Sequence, residues 1–325
     1  MSDHSNNSAI AVTLVSRTHM DLETTLAREV LQSADLTADT MRWLARSPAR
    51  APEYSALEAV ISMPPSDPRL AAARIACEQL STAAIDYAIL PAANRKKRLL
   101  ISDMDSTIIA EECLDELADF AGLKAEISAI TERAMAGELN FEEALTTRVE
   151  MLRGLGLDKI EACYRERIHL NPGAKTLVAT MKANGAKCLL VSGGFTAFTS
   201  RIGAAAGFDE NYGNTLIDDG AALTGKVGLP ILGREAKQER LERTASQLEL
   251  APSDALAIGD GANDLAMIKT AGLGIAYRAK PIVAAEAHAA INHTDLTAAL
   301  FFQGYSADEF VTCLLYTSPS PRDRG

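Results

Sequence analysis

Four short apolar runs, at residues 99–102, 187–191, 255–258 and 273–277, recur through the middle and end of the chain, separated by helix-length segments. A strand buried on both faces reads as an unbroken apolar run, and alternation with helices argues for a parallel sheet covered on both sides. Three of the runs stop at clusters of acidic or small residues. The first meets Asp103-Met104-Asp105-Ser106-Thr107, the second Ser192-Gly193-Gly194-Phe195, and the third Gly259-Asp260-Gly261-Ala262-Asn263-Asp264. In an open parallel sheet, ligands bind in the crevice outside the carboxyl ends of the strands. The sequence therefore predicts one α/β site assembled from distant segments.

Two carboxylates that close to a buried strand are costly unless a cation or a proton compensates them. A hard divalent cation held by carboxylate oxygens, with a phosphate oxygen in its shell, meets that need. On this reading Asp103 and Asp260 supply oxygens to Mg²⁺, and Asp103 attacks phosphorus. Asp105 protonates the leaving oxygen and then activates water. Ser192, with the backbone amides of Gly193 and Gly194, cradles a phosphate where a helix opens at Thr196. Lys237, on a polar helical stretch after Pro230, neutralises phosphate oxygens and Asp103, so that anion can attack anion. Asn263 and Asp264 steer the metal ligands.

The first part of the chain has a different rhythm. Residues 9–15 form an apolar run, and 21–32 show helical spacing with Leu22, Leu26 and Val30 on one face. Strands are expected near 40–45 and 57–62. Asp67-Pro68 signals a helix over 69–80, and 85–90 make a last strand. The order βαββαβ is that of a small ferredoxin-like or ACT-like unit. It holds no cluster of acids, histidines or glycines, so it reads as a structural or homodimer-forming unit, or as a small-molecule sensor. Residues 91–94 read as a hinge, and Arg95-Lys96-Lys97-Arg98 as a solvated edge. The stretch 113–170 is too long for an ordinary crossover and predicts a helical subdomain. Residues 209–227 look like a hairpin turning at Asp219-Gly220. The last stretch, 311–325, continues neither periodicity and is set aside as a tail that is disordered or foreign to the protein. The expected units are thus 1–94, 95–310 and that tail.

Asp103-x-Asp105-x-Thr107, then Ser192, then Lys237, then Gly259-Asp260-x-x-Asn263-Asp264 is an ordered set that resembles the haloacid dehalogenase (HAD) superfamily of aspartate-nucleophile phosphatases. The resemblance implies a HAD-like Rossmannoid parallel sheet with a helical cap inserted after the first strand. It implies Mg²⁺ with Asp103, Asp105 and Asp260 around it, and an aspartyl-phosphate intermediate. The insertion carries Glu111-Glu112-Cys113-Leu114-Asp115-Glu116 and Met135-Ala136-Gly137-Glu138-Leu139-Asn140-Phe141, followed by Arg148. These stretches resemble those of the phosphoserine phosphatases in that superfamily, and the N-terminal unit resembles the layout of long bacterial forms. By that resemblance Glu112 meets the substrate ammonium, with Glu111 as the adjacent alternative, and Arg148 meets its carboxylate. Met135 and Phe141 shield the site, while Ser192, Gly193, Lys237 and Asn263 contact substrate. The expected reaction is hydrolysis of phosphoserine. A phosphotransferase shares every motif, and a non-catalytic serine-binding regulator is the rival that would not need the nucleophile.

Composition narrows the classes further. With 43 acidic against 32 basic residues the net charge is −11, which argues against a nucleic-acid surface. No apolar run approaches the ~18 residues of a membrane span, and residues 1–8 lack the regions of a signal peptide, so a cytoplasmic protein is expected. Cys77, Cys113, Cys163, Cys188 and Cys313 show no metal-ligand spacing and read as small buried hydrophobes.

Overall fold

The computed structural model describes residues 9–17, 24–46, 54–135 and 138–312, with the backbone alone at 81, 82 and 135. Residues 1–8, the first turn of the first expected helix, the Met135 side chain, Cys313 and the tail after it lie outside that description.

The N-terminal order is β1 (Ala9–Arg17), α1 (Thr24–Ser33), β2 (Thr40–Ala45), β3 (Tyr54–Ser62), α2 (Arg69–Gln79) and β4 (Ile85–Pro91), the βαββαβ pattern expected from the sequence. The four strands pair antiparallel in the order β2-β3-β1-β4. Side-chain alternation gives β1 two apolar faces. Ile10, Val12 and Leu14 share a cluster with Leu31 of α1 and Cys77 of α2, whereas Val15, Ala56 and Ala88 belong to the core of the rest of the molecule. Asp67 accepts the Arg69 N–H at 3.0 Å and so starts α2.

The remainder runs β5 (Leu99–Ser102), α3 (Cys113–Asp119), α4 (Lys124–Met135), α5 (Phe141–Met151), α6 (Asp158–Arg167), α7 (Ala174–Ala183), β6 (Lys187–Phe195), α8 (Thr196–Ala206), β7 (Glu210–Asn214), β8 (Leu216–Asp218), β9 (Leu223–Val227), α9 (Arg234–Gln247), β10 (Ala255–Gly259), α10 (Leu265–Thr270), β11 (Leu273–Tyr277), α11 (Pro281–Ala284), β12 (Ala289–Ile291) and α12 (Ala298–Phe302). Strands β12-β11-β10-β5-β6-β7 are parallel. Every residue of β5, β10 and β11 is buried, as coverage on both faces requires. The chain moves from β5 to β6 and β7 on one side and to β10 and β11 on the other. That switch point puts the crevice at the end of β5. Helices α3–α6 form the insertion expected between β5 and β6.

Three expectations need correction. Residues 91–94 do not separate two sheets: β4 pairs antiparallel with β12, Ala88 opposite Ala289 and Tyr87 opposite Ala290, so one ten-stranded sheet joins both halves. Pro91 is itself the last residue of β4, paired with Ile10. Asp86, buried at this seam, accepts the N–H groups of Asn292, His293 and Thr294. The basic run is not wholly solvated either. Arg95 is drawn inward because Glu58 is buried on β3: Arg95 Nη1 lies 2.5 Å from Glu58 Oε2, and Arg42 Nε 2.7 Å from Oε1. Lastly, the hairpin is only β8–β9, turning at residues 219–222, with Gly220 at φ +91°. β7 instead extends the main sheet beside β6.

Candidate active site

Asp103 leaves β5 with its N–H bonded to the Ile258 carbonyl of β10 at 2.9 Å. Its Oδ1 accepts its neighbour Met104 N–H at 2.8 Å and lies 2.7 Å from Lys237 Nζ. Lys237 is buried because it begins the inward stripe of α9, continued by Leu241, Thr244 and Ala245. The same ammonium donates to Asp264 Oδ1 at 2.6 Å, and Asp264 Oδ2 accepts the Gly261 N–H. Asp103, Asp260 and Asp264 bring ligand oxygens within 4.8 Å of one another. Burial and the Asp264 charge push Asp103 well above the usual carboxylate range, against the pull of Lys237, and they raise Asp260 as well. Burial by itself would lower Lys237, but Asp103 and Asp264 hold it above the ordinary lysine value. Asp103 and Asp264 thus share one ammonium, and Asp260 adds a third carboxylate beside them. A donor set made only of carboxylate oxygens, with negative charge to spare, fits a hard divalent cation.

Asp105 was expected beside the metal, yet its carboxylate is outside that trio. Oδ1 accepts the Cys113 N–H at 2.8 Å, where α3 begins, and Oδ2 accepts the Ser192 hydroxyl at 3.2 Å. Burial raises its pKa in spite of these bonds, which favours a carboxyl able to give up and retake a proton. Ser192 Oγ in turn accepts the Gly194 N–H at 2.8 Å, so that amide is already engaged within the loop. A Cβ at Gly194 would lie 2.8 Å from Asp105 Oδ2, and one at Gly193 would lie 2.9 Å from the Phe141 ring. The two glycines keep the backbone bare where core and cap approach. Asn214 holds this loop from β7, donating to the Gly193 carbonyl at 2.8 Å.

From the cap side, Ser106 takes a left-handed φ of +54°, and its hydroxyl donates to Glu112 Oε1 at 2.7 Å. Burial, then the neighbouring Asp105, pushes Glu112 upward. Glu111 faces elsewhere: it accepts the His169 N–H at 3.0 Å and pairs with that imidazole. Arg148 lies buried on α5 with Ala144, Leu145 and Val149. A cavity of about 100 Å³ joins these parts, with Asp103, Asp105, Ser192, Gly193, Asp260 and Asn263 on the core side and Glu112, Phe141 and Arg148 on the cap side. Lys237 is not on its wall and acts on Asp103 directly. Sequence reasoning gave no role to Thr107, which donates to Asp260 at 3.1 Å, or to Thr131 and Arg234 on the cavity wall. Thr107 was legible in its motif. A lone threonine in a cap helix and the first residue of α9 carried no signal.

Among the described residues no helix is long and apolar enough to cross a membrane. The haloacid dehalogenase-like hydrolase family model matches residues 100–269, from β5 into α10, a span holding all four motifs. A phosphoserine phosphatase from Polaromonas sp. (strain JS666) is 48% identical over 204 residues, 61% of this chain and 86% of that protein. The crystal structure of a HAD-family hydrolase from Salmonella enterica serovar Typhi covers 92% of this chain and 99% of its own, at 31% identity and a TM-score of 0.76. A structure of a phospho-aspartyl intermediate analogue of phosphoserine phosphatase covers 63% of this chain and 98% of its own, at 40% identity and a TM-score of 0.60.

Proposed function

Because this chain belongs to the haloacid dehalogenase-like hydrolases, we propose that it hydrolyses O-phosphoserine to serine and phosphate through an aspartyl-phosphate on Asp103. The observation that carries this reading is the shared cavity: phosphoryl-transfer carboxylates on one wall, and a carboxylate and a guanidinium on the other. Asp103, clamped by Lys237 and by the Met104 N–H, is oriented for attack on phosphorus. Asp105 protonates the serine oxygen as the bond to phosphorus breaks, then takes a proton from the water that cleaves the aspartyl-phosphate. Ser192 orients the phosphoryl oxygens, and Asn263 lies on the wall beside them. Glu112 faces the ammonium of the substrate and Arg148 its carboxylate, a pair that selects an amino acid. Phe141 helps close the cavity.

Asp103, Asp260 and Asp264 would hold the divalent cation, and Mg²⁺ suits their oxygen-only set. Bound there, it supplies charge that stabilises the transferring phosphoryl group. Free, buried Cys77, Cys113, Cys163 and Cys188 are consistent with a reducing, cytoplasmic setting.

The test is phosphate release from a panel of phosphomonoesters with and without Mg²⁺. Phosphoserine is expected to exceed phosphothreonine and sugar phosphates by a wide margin, and only with the metal. A flat profile would remove the roles of Glu112 and Arg148 while leaving the phosphoryl chemistry.

A further inference from the structure

The recognition arginine is not free to choose its own direction. Arg148 Nε donates to the Ala144 carbonyl one turn back at 3.2 Å, and Nη1 donates to Thr131 Oγ1 of α4 at 2.9 Å. Thr131 is buried and also lines the cavity. Its hydroxyl lies 2.7 Å from Asp115 Oδ1 on α3, with the Ile127 carbonyl at 3.0 Å as a second acceptor. Ser128 donates to the other oxygen of Asp115 at 2.7 Å. A carboxylate accepts but does not donate. The Ile127 carbonyl is acceptor-only too, but Asp115 is the nearer and the charged acceptor, so it takes the single hydroxyl hydrogen of Thr131 and turns the threonine lone pairs toward the guanidinium. The polarity of the relay is set from α3 through α4 to α5.

We propose that Thr131, locked by Asp115, is a positioning residue that holds Arg148 in the orientation needed to receive the substrate's carboxylate. With Nε and one Nη1 hydrogen engaged, Nη2 and the second Nη1 hydrogen remain for a planar anion, the fork that matches a carboxylate. Fixing the fork before substrate arrives removes an ordering cost from binding. Asp115 also stands first among the acids that offset the effect of burial on Arg148, ahead of Glu112 and Asp105. Neither Thr131 nor Asp115 needs to touch the substrate. The inference rests on the reading that Arg148 meets the carboxylate.

The experiment compares Thr131→Val, Thr131→Ser, Asp115→Asn and Arg148→Gln with the parent full chain, in Mg²⁺, by steady-state kinetics on phosphoserine and by thermal melting. Valine keeps the shape and removes the hydroxyl, whereas serine keeps the hydroxyl. Thr131→Val should raise KM by about tenfold or more, the range for a lost hydrogen bond to a charged group, with kcat within about twofold. Asp115→Asn should move KM in the same direction, and Thr131→Ser should restore it with a melting point like that of the parent. An unchanged KM in Thr131→Val overturns the proposal. So does a joint loss of kcat and stability, or a serine variant as damaged as the valine one. If Arg148→Gln raises KM and Thr131→Val does not, the relay alone falls. If Arg148→Gln leaves KM unchanged, the carboxylate assignment beneath it falls as well.

Discussion

Glu58 at the seam of the two halves and Asp103 at the end of β5 are both almost fully buried, but their surroundings differ. Glu58 faces two arginines, Arg42 and Arg95. Asp86 nearby takes three backbone N–H groups and the Thr294 hydroxyl. Charge at the seam is matched, by opposite charge at Glu58 and by hydrogen-bond donors at Asp86. In the crevice Asp103, Asp105, Glu112, Asp260 and Asp264 gather around two buried cations, Lys237 and Arg148, with Arg234 exposed at the rim. Matched charge fastens a structure. Unmatched charge, with pKa values pushed upward, marks a place where a cation or a charged ligand completes the set.

That contrast can be broken most forcefully at Asp103. Asp103→Asn should lower phosphoserine turnover by roughly 10⁵-fold or more, the scale for loss of a nucleophile. Its metal-free unfolding free energy should stay within about 1 kcal/mol of the parent, because Asp264 still holds Lys237 and a surplus carboxylate has gone. Near-normal turnover would end the nucleophile assignment. Glu58→Gln should do the reverse. Stripping the largely covered Arg95 of its partner is expected to cost about 3 kcal/mol in urea unfolding, with kcat unaltered. A parallel fall in kcat would mean that seam and crevice are energetically one unit. The smallest effect is expected at Arg234, an exposed cation on the cavity wall that opposes the acidic crevice. Arg234→Gln should lower kcat/KM a few-fold at low ionic strength, with kcat constant, and the difference should vanish in high salt. A salt-independent loss would place Arg234 in direct substrate contact instead.

Strands β5, β6, β10 and β11 were legible because coverage on both faces demands apolar runs, and the ends of β5, β6 and β10 carry the acids and glycines. The ferredoxin-like order was legible from period, proline positions and the Asp67-Pro68 start signal. The seam was not. β12 is Ala-Ala-Ile, too short for a pattern, and its strand state depends on β4 and β11 on either side. Nor could spacing show that Asp264 joins the acidic trio while Asp105 turns to Cys113 and Ser192, since that depends on how each loop leaves its strand.

The sequence by itself determined which reactive groups the protein owns and the order in which strand ends present them, because burial periodicity and motif spacing are local properties. Only the tertiary structure decided which charges are neutralised. Arg95 finds Glu58 and Thr131 finds Arg148 across gaps that no local pattern encodes. Electrostatic and hydrogen-bond energies depend on final distances and on the exclusion of water, and both exist only once the chain has folded.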